Sequence, residues 1–350
     1  MKALDVWNRL SDYWDQQLAS ATDPIKDANW QGEHRRKGFF TDTSICIGCK
    51  ACEVACKEWN RVPARGPEDH GLEFSGDSYD NSNHLGANTW RHVAFIEQTP
   101  QQQIAAKESG AVLLGMPQMP GKPVTTGGDA TTMAEPVEAS PQGIQAVRWL
   151  MSSDVCKHCT HAGCLDVCPT GALFRSEFGT VVVQSDVCNG CGYCVASCPF
   201  GVIGKRENGT VELGDATRQP VLNGGIAQKC TLCYDRLTDG LTPACAQTCP
   251  TTSIKFGNHD EMVALARERL RVLHEQGHGE ARLYGANPDD GVGGTGSVFL
   301  LMDEPEAYGL PPDPVVTTAD LPRMFTMAGI AGTAMIGVAL SVFVGNGRYQ

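Results

Sequence analysis

Apolar and polar positions alternate in several different ways along the 350-residue chain. Val6, Trp7, Leu10, Trp14 and Leu18 recur at helical spacing and predict an amphipathic segment, which packs on the chain's own core or clamps a partner. Met262, Val263, Leu265, Leu270 and Leu273, with charges between them, predict an amphipathic helix over 259–276. Short β-like runs stand at Gly179-Thr-Val-Val-Val183 and Val298-Phe-Leu-Leu-Met302. Phe325 to Gly345 has no charge at all, and at about 1.5 Å per residue it is long enough to cross a bilayer. Gly329, Thr333 and Gly337 recur along it with Ala328 and Gly332 alongside, a stripe that lets another helix approach closely in lipid. A buried soluble helix would share this composition, but the place at the chain end favours a single anchor. Arg323 and Arg348 flank it about equally, so charge barely decides its orientation. Residues 100–143 are rich in Gln, Gly, Pro and Thr with little periodicity and read as an irregular insertion.

Sixteen cysteines change the picture, because they fall in four groups of four. The groups are Cys46, Cys49, Cys52, Cys56; Cys156, Cys159, Cys164, Cys168; Cys188, Cys191, Cys194, Cys198; and Cys230, Cys233, Cys245, Cys249. A C-x2-C-x2-C run wraps a loop around one corner of a cubane cluster, and a fourth cysteine after it serves a second cluster. Pro169, Pro199 and Pro250 follow the last cysteine of three groups, as in bacterial two-cluster runs. Zinc knuckles instead use two separated C-x2-C pairs around one ion, and a disulfide framework belongs to smaller, denser secreted scaffolds. Groups two and three lie close in sequence and form an inner pair, which leaves groups one and four as an outer pair. The crossing rule then predicts four 4Fe–4S clusters. Cys46, Cys49 and Cys52 join Cys249; Cys56 joins Cys230, Cys233 and Cys245; Cys156, Cys159 and Cys164 join Cys198; and Cys168 joins Cys188, Cys191 and Cys194. The fold class expected is α+β, two nested ferredoxin-like double-cluster units followed by one transmembrane helix.

Such clusters move single electrons and do no bond chemistry, so four in series make a wire. Lys50, Lys57, Lys157 and Lys229 stand beside ligands; each either favours a more negative reduced cluster or is an ordinary solvated lysine. His158 and His161 lie inside the second group, but all four cysteines are present there, so both read as supporting or surface residues. Gly291-Val-Gly-Gly-Thr-Gly296 precedes a β-like run rather than a helix, so it reads as a structural turn and not a dinucleotide loop. Lys plus Arg is 28 against 40 Asp plus Glu, a net charge of −12 that argues against a nucleic-acid partner. Residues 1–40 carry no secretory pattern; Arg35 and Arg36 before Phe39 and Phe40 superficially suggest a twin-arginine signal, but no apolar stretch follows. No nucleophile–base constellation or paired carboxylate site stands out, so the chain is not expected to catalyse a reaction alone.

The segments Asp42-Thr-Ser-Ile-Cys-Ile-Gly-Cys-Lys-Ala-Cys-Glu-Val-Ala-Cys-Lys-Glu-Trp-Asn60, Cys188-Asn-Gly-Cys-Gly-Tyr-Cys-Val-Ala-Ser-Cys-Pro-Phe200 and Lys229-Cys-Thr-Leu-Cys-Tyr-Asp-Arg236, with the stretch from Tyr284 to Asp313, carry a resemblance. The chain resembles the iron–sulfur (beta) subunit of bacterial membrane-bound respiratory formate dehydrogenases. The resemblance covers most of the chain but not 100–143, where a much shorter connection is expected. It implies a catalytic alpha subunit with a molybdenum or tungsten pterin that oxidises formate, and a haem-bearing cytochrome b gamma subunit that reduces quinone in anaerobic respiration. It places the cluster of Cys46, Cys49 and Cys52 nearest the catalytic subunit and the inner pair nearer the membrane. It implies a single pass of the cytoplasmic membrane through residues 325–345, with the soluble body commonly on the periplasmic face; the missing signal in this chain is equally compatible with the cytoplasmic face. The domains expected are an N-terminal partner-contacting segment (1–40), an outer unit (41–99 with 229–258) and the insertion (100–143). An inner unit (144–228), a C-terminal helix and linker region (259–322) and the anchor (323–350) complete the division. Beta subunits of thiosulfate, polysulfide or nitrate reductases, or of a hydrogenase, share the cysteine groups, and a zinc scaffold is the alternative from a different class.

Overall fold

The computed structural model describes residues 24–25, 30–63, 79, 84–113, 144–212 and 218–346. A four-stranded mixed sheet lies at its centre, built from β1 (Lys37–Asp42), β6 (Ile254–Asn258), β7 (Arg282–Tyr284) and β8 (Ser297–Leu301) in the order β6–β1–β8–β7. β1 pairs antiparallel with β6, Phe39 opposite Phe256, and parallel with β8, Phe39 opposite Ser297. Phe39, Phe40, Val298, Phe299, Leu300 and Leu301 are all buried, so consecutive residues face apolar surroundings on both sides of the sheet, as a covered central strand requires. The helix α3 (His259–Glu275) packs over this sheet, burying Ala266 and Leu273. Asp260 and Glu261 in its first turn suit the positive end of the helix dipole.

Two stretches outside the expected ferredoxin-like units contribute to the sheet. Residues 37–40, the end of the expected N-terminal segment, form part of β1, with Phe39 and Phe40 fully enclosed. Residues 259–322, expected as a helix and linker region, supply α3, β7 and β8. The amphipathic positions from Val6 to Leu18 lie outside the described residues.

A ribbon of β2 (Arg91–Gln98) and β3 (Arg148–Val155) pairs antiparallel over eight residues, from Arg91 opposite Val155 to Gln98 opposite Arg148. The insertion leaves and re-enters at the Gln98–Arg148 end. Its first third is not irregular as the sequence suggested but forms the helix α2 (Pro100–Leu113). A reciprocal cap starts it: the Thr99 amide donates to Gln102 Oε1 at 2.8 Å and the Gln102 amide to Thr99 Oγ1 at 3.4 Å. Pro100 follows the cap, where its missing N–H costs nothing. The helix lacks a broad apolar stripe because a close backbone approach seats it instead. A Cβ at Gly110 would overlap the carbonyl of Gly279, and Ser109 joins Glu304 and Arg282.

β4 (Leu173–Arg175) and β5 (Val181–Val183) form the hairpin between the second and third cysteine groups. Helix α1 (Ala51–Asn60) carries the end of the first group and buries Cys52, Glu53 and Cys56 on one face. The last helix, α4 (Leu321–Asn346), includes a 21-residue span of mean hydropathy 1.8 from Arg323 to Phe343, none of it buried against the rest of the chain.

Candidate metal centres

One backbone device recurs in all four cysteine groups. The residue two after the first cysteine is left-handed each time: Gly48 (φ 65°), His158 (φ 45°), Gly190 (φ 71°) and Leu232 (φ 61°). A left-handed residue in a tight loop turns successive N–H groups toward one point and favours an anion there. At Gly48 space demands glycine as well, since a Cβ would come within 2.5 Å of the Phe95 ring and 2.7 Å of Met151 Sδ. The chain turns again three residues past the last cysteine of groups two to four. The amides of Gly171, Gly201 and Thr252 donate to the carbonyls of Cys168, Cys198 and Cys249 at 3.3, 3.2 and 3.2 Å. The intervening prolines occupy the first corner of each turn, where their fixed φ fits.

All sixteen cysteines are free thiols. Cys46, Cys49, Cys52 and Cys249 line one cavity of about 300 Å3. Cys56, its thiol raised well above the usual range by burial, has Cys230, Cys245 and Cys233 as charged neighbours. Cys156, Cys159, Cys164 and Cys198 line a second cavity of about 350 Å3. Cys194, pushed up to about 11 by burial, neighbours Cys188, Cys168 and Cys191. The first two sets adjoin through Cys52 and Cys245, and the second and third through Cys230 and Cys156. Cys164 and Cys168 flank the end of a one-turn helix, Gly163–Asp166, that joins the third set to the fourth. Cys49 and Cys191 are exposed, whereas all four cysteines of the second set are buried.

This donor set fits iron–sulfur clusters. Burial raises the thiols of Cys46, Cys52, Cys56, Cys159, Cys164, Cys194, Cys198, Cys230 and Cys233, because it disfavours bare thiolates, and a bound metal core would supply the missing positive charge. Neither cavity is lined by a carboxylate. Among the described residues no three His, Cys, Asp or Glu side chains close on a point as a single ion needs, whereas a tetrahedral zinc would draw its thiolates around one centre at about 2.3 Å. His158 lines the second cavity; its Nδ1 accepts from the Val181 amide at 3.2 Å, so the ring proton sits on Nε2, which is buried with no protein partner. Burial and the charges of Lys229, Arg36, Arg175 and Arg91 hold its pKa well below the usual value and keep it neutral.

The lysines beside the cysteines fall into different settings. Lys157 and Lys229 are buried, not solvated. Lys157 pairs with Asp154, while Lys229 donates to the carbonyls of Val181 and Cys230. Lys50 pairs with Glu53 at 3.4 Å, and Lys57 reaches the Asn88 carbonyl at 3.2 Å. Glu53 also accepts from the Val93 amide, which fixes α1 to β2. The Gly291–Gly296 turn packs on the second group: the His161 amide donates to the Val292 carbonyl at 2.8 Å and the Thr160 amide to that of Gly294 at 3.0 Å. Arg91 has no signal in the sequence, being far from every cysteine along the chain. It is buried, and its guanidinium donates to Cys245 Sγ at 3.1 Å and to the Ser153 carbonyl at 3.1 Å.

Residues 45–172 and 147–259 each match a family model described as a 4Fe–4S dicluster domain. The chain is 33% identical over 329 residues to the formate dehydrogenase iron–sulfur subunit of Haemophilus influenzae, covering 92% of this chain and 84% of that protein. The chain belongs to this family. It is likewise 34% identical over 306 residues to the nitrate-inducible formate dehydrogenase iron–sulfur subunit of Escherichia coli, covering 86% of this chain and 80% of that one. The B subunit of the anaerobic dimethyl sulfoxide reductase of Escherichia coli is more distant, 28% identical over 225 residues and covering 64% of this chain and 75% of that one. A member of this family is an electron-transfer subunit carrying iron–sulfur clusters, not the catalytic subunit of its complex. The two matched stretches run in chain order, whereas the sulfurs gather across it, first group with fourth and second with third.

Proposed function

We propose that this chain relays electrons from a formate-oxidising molybdenum or tungsten subunit to a membrane cytochrome b through four 4Fe–4S clusters. The ligands are the sixteen cysteines in the four sets described, in two nested units over 41–99 with 229–258 and over 144–228. Each cluster, when bound, takes up and returns one electron at a time. The protein's part is to hold the sets in series, to aim backbone N–H groups at them and to keep water from the middle. The observation that carries this reading is the adjacency of the sets through Cys52–Cys245 and Cys230–Cys156, with exposed cysteines in the two terminal sets. Cys49 then marks the end facing the catalytic subunit and Cys191 the end facing the membrane partner. Helix α4, apolar and uncovered, serves as the single anchor against that partner. In this reading the soluble body faces the periplasm, in keeping with the family resemblance.

The test is anaerobic. The complex is isolated through this chain and given formate, and low-temperature EPR is recorded. Reduced-cluster signals with formate are expected, with the fourth-set signal lost or converted and transfer to the membrane broken in Cys194→Ala. Clusters that reduce with dithionite but never with formate would move the donor to another enzyme.

A further inference from the structure

The buried middle of the series poses an electrostatic problem. A cluster gains negative charge on reduction, and low-dielectric surroundings disfavour that gain. The terminal sets each have an exposed cysteine, but all four cysteines of the second set are buried, and so is Cys156 of the third. A buried cation stands at each of the two junctions that the second set makes. Arg91 stands between the first and second sets: its Nη2 donates to Cys245, and its Nη1 donates to the carbonyl and hydroxyl of Ser153, whose oxygen lies 3.2 Å from Cys52 Sγ. Lys229 stands between the second and third sets, bonded to the Cys230 carbonyl and lining the cavity of Cys156, Cys159, Cys164 and Cys198. Neither is paired with a carboxylate among the described residues; Arg91 has Ser153, Cys245 and the Phe39 ring, and Lys229 has two carbonyls. The contrast is Lys157, equally buried but neutralised by Asp154. Unpaired buried cations are costly, and here anions on both sides would offset the cost.

We propose that Arg91 and Lys229 are positioning charges for electron transfer, each shared by two neighbouring clusters whose reduced states it stabilises. Arg91 raises the potentials of the first and second clusters, Lys229 those of the second and third, and the fourth is beyond both. The inference rests on the relay reading above.

The experiment is an EPR-monitored redox titration of the intact complex, with iron content measured alongside, for wild type, Arg91→Gln and Lys229→Gln. Each variant is expected to lower two potentials by at least tenfold in the one-electron equilibrium, about 59 mV. One cluster should fall in both variants and one in neither. Arg91→Lys, which keeps the charge and loses the fork, should restore the wild-type potentials. Unmoved potentials at full iron content, a uniform shift of all clusters, or a fall in Arg91→Lys equal to that in Arg91→Gln would overturn the proposal. If a Gln variant assembles short of iron, Arg91→Lys and Lys229→Arg decide alone: wild-type potentials in both support shared charge, and a fall in either overturns it. A wild-type complex without reducible clusters would instead defeat the relay reading itself.

Discussion

Gly48 and Gly192 look interchangeable in the sequence, since each sits in a C-x2-C-x2-C run, and both are left-handed, at φ 65° and 81°. Their surroundings separate them. A Cβ at Gly192 meets nothing within 4 Å, whereas one at Gly48 collides with Phe95 and Met151 behind the first cavity. Gly192→Ala is therefore expected to cost only the left-handed strain, about 1–2 kcal/mol, and to keep its iron. Gly48→Ala must also displace β2 or β3 side chains, and should lose iron selectively from the set of Cys46, Cys49, Cys52 and Cys249. Iron per chain and the EPR of each variant check this, and equal retention in both would contradict it. The four cysteine groups are legible in sequence because thiolate spacing is local chemistry. Arg91 is not, because it reaches Cys245 across a fold that only the β2–β3 ribbon creates. The burial of Lys229 is equally hidden, since a lysine beside a ligand reads the same whether it faces water or a cluster.

At the scale of elements, helix α3 is legible from its apolar period, but its seating on the sheet is not. His259 opens the helix, and its Nε2 lies 2.8 Å from the Thr295 carbonyl. Burial, and then the nearby Arg36, lower its pKa to about 4. The unfolded value is about 6.5, so between the two the unfolded chain binds the proton and the folded chain does not. Stability from this group is thus complete above about pH 6.5 and is lost as pH falls toward 4, by roughly 3 kcal/mol at most. His259→Gln keeps an amide donor for Thr295 and removes the titration. The urea midpoint for loss of iron–sulfur absorbance should fall less between pH 7 and pH 5 in this variant than in wild type. Equal falls would show that His259 does not contribute. Helix α2 is hidden in the sequence for a different physical reason. It is specified by the Thr99–Gln102 cap and by the bare backbone at Gly110, neither of which leaves an apolar period.

For the whole molecule, the first and fourth cysteine groups come together through the sheet: β1 enters it just before the first group, and β6 returns to it just after the fourth. The outer sets are therefore pinned to one sheet while the second and third groups hang between them. Helix α4 stands apart from this body. Met324, Phe325, Ile330, Met335, Ile336, Val338 and Phe343 are exposed, an apolar surface far larger than a soluble monomer tolerates. None of the sixteen cysteines lies on it or follows it. Deleting residues 321–350 should therefore leave every reduced-cluster signal in place after formate or dithionite. The same deletion should move the chain and its catalytic partner from the membrane fraction to the soluble fraction and abolish formate-to-quinone transfer. The readouts are separable because the sets depend on the sheet and its loops, while delivery, in the proposed reading, depends on α4 as the anchor. A truncated chain that lost its clusters would make α4 part of the folded body, and one that stayed on the membrane with full quinone reduction would place the attachment elsewhere in the complex.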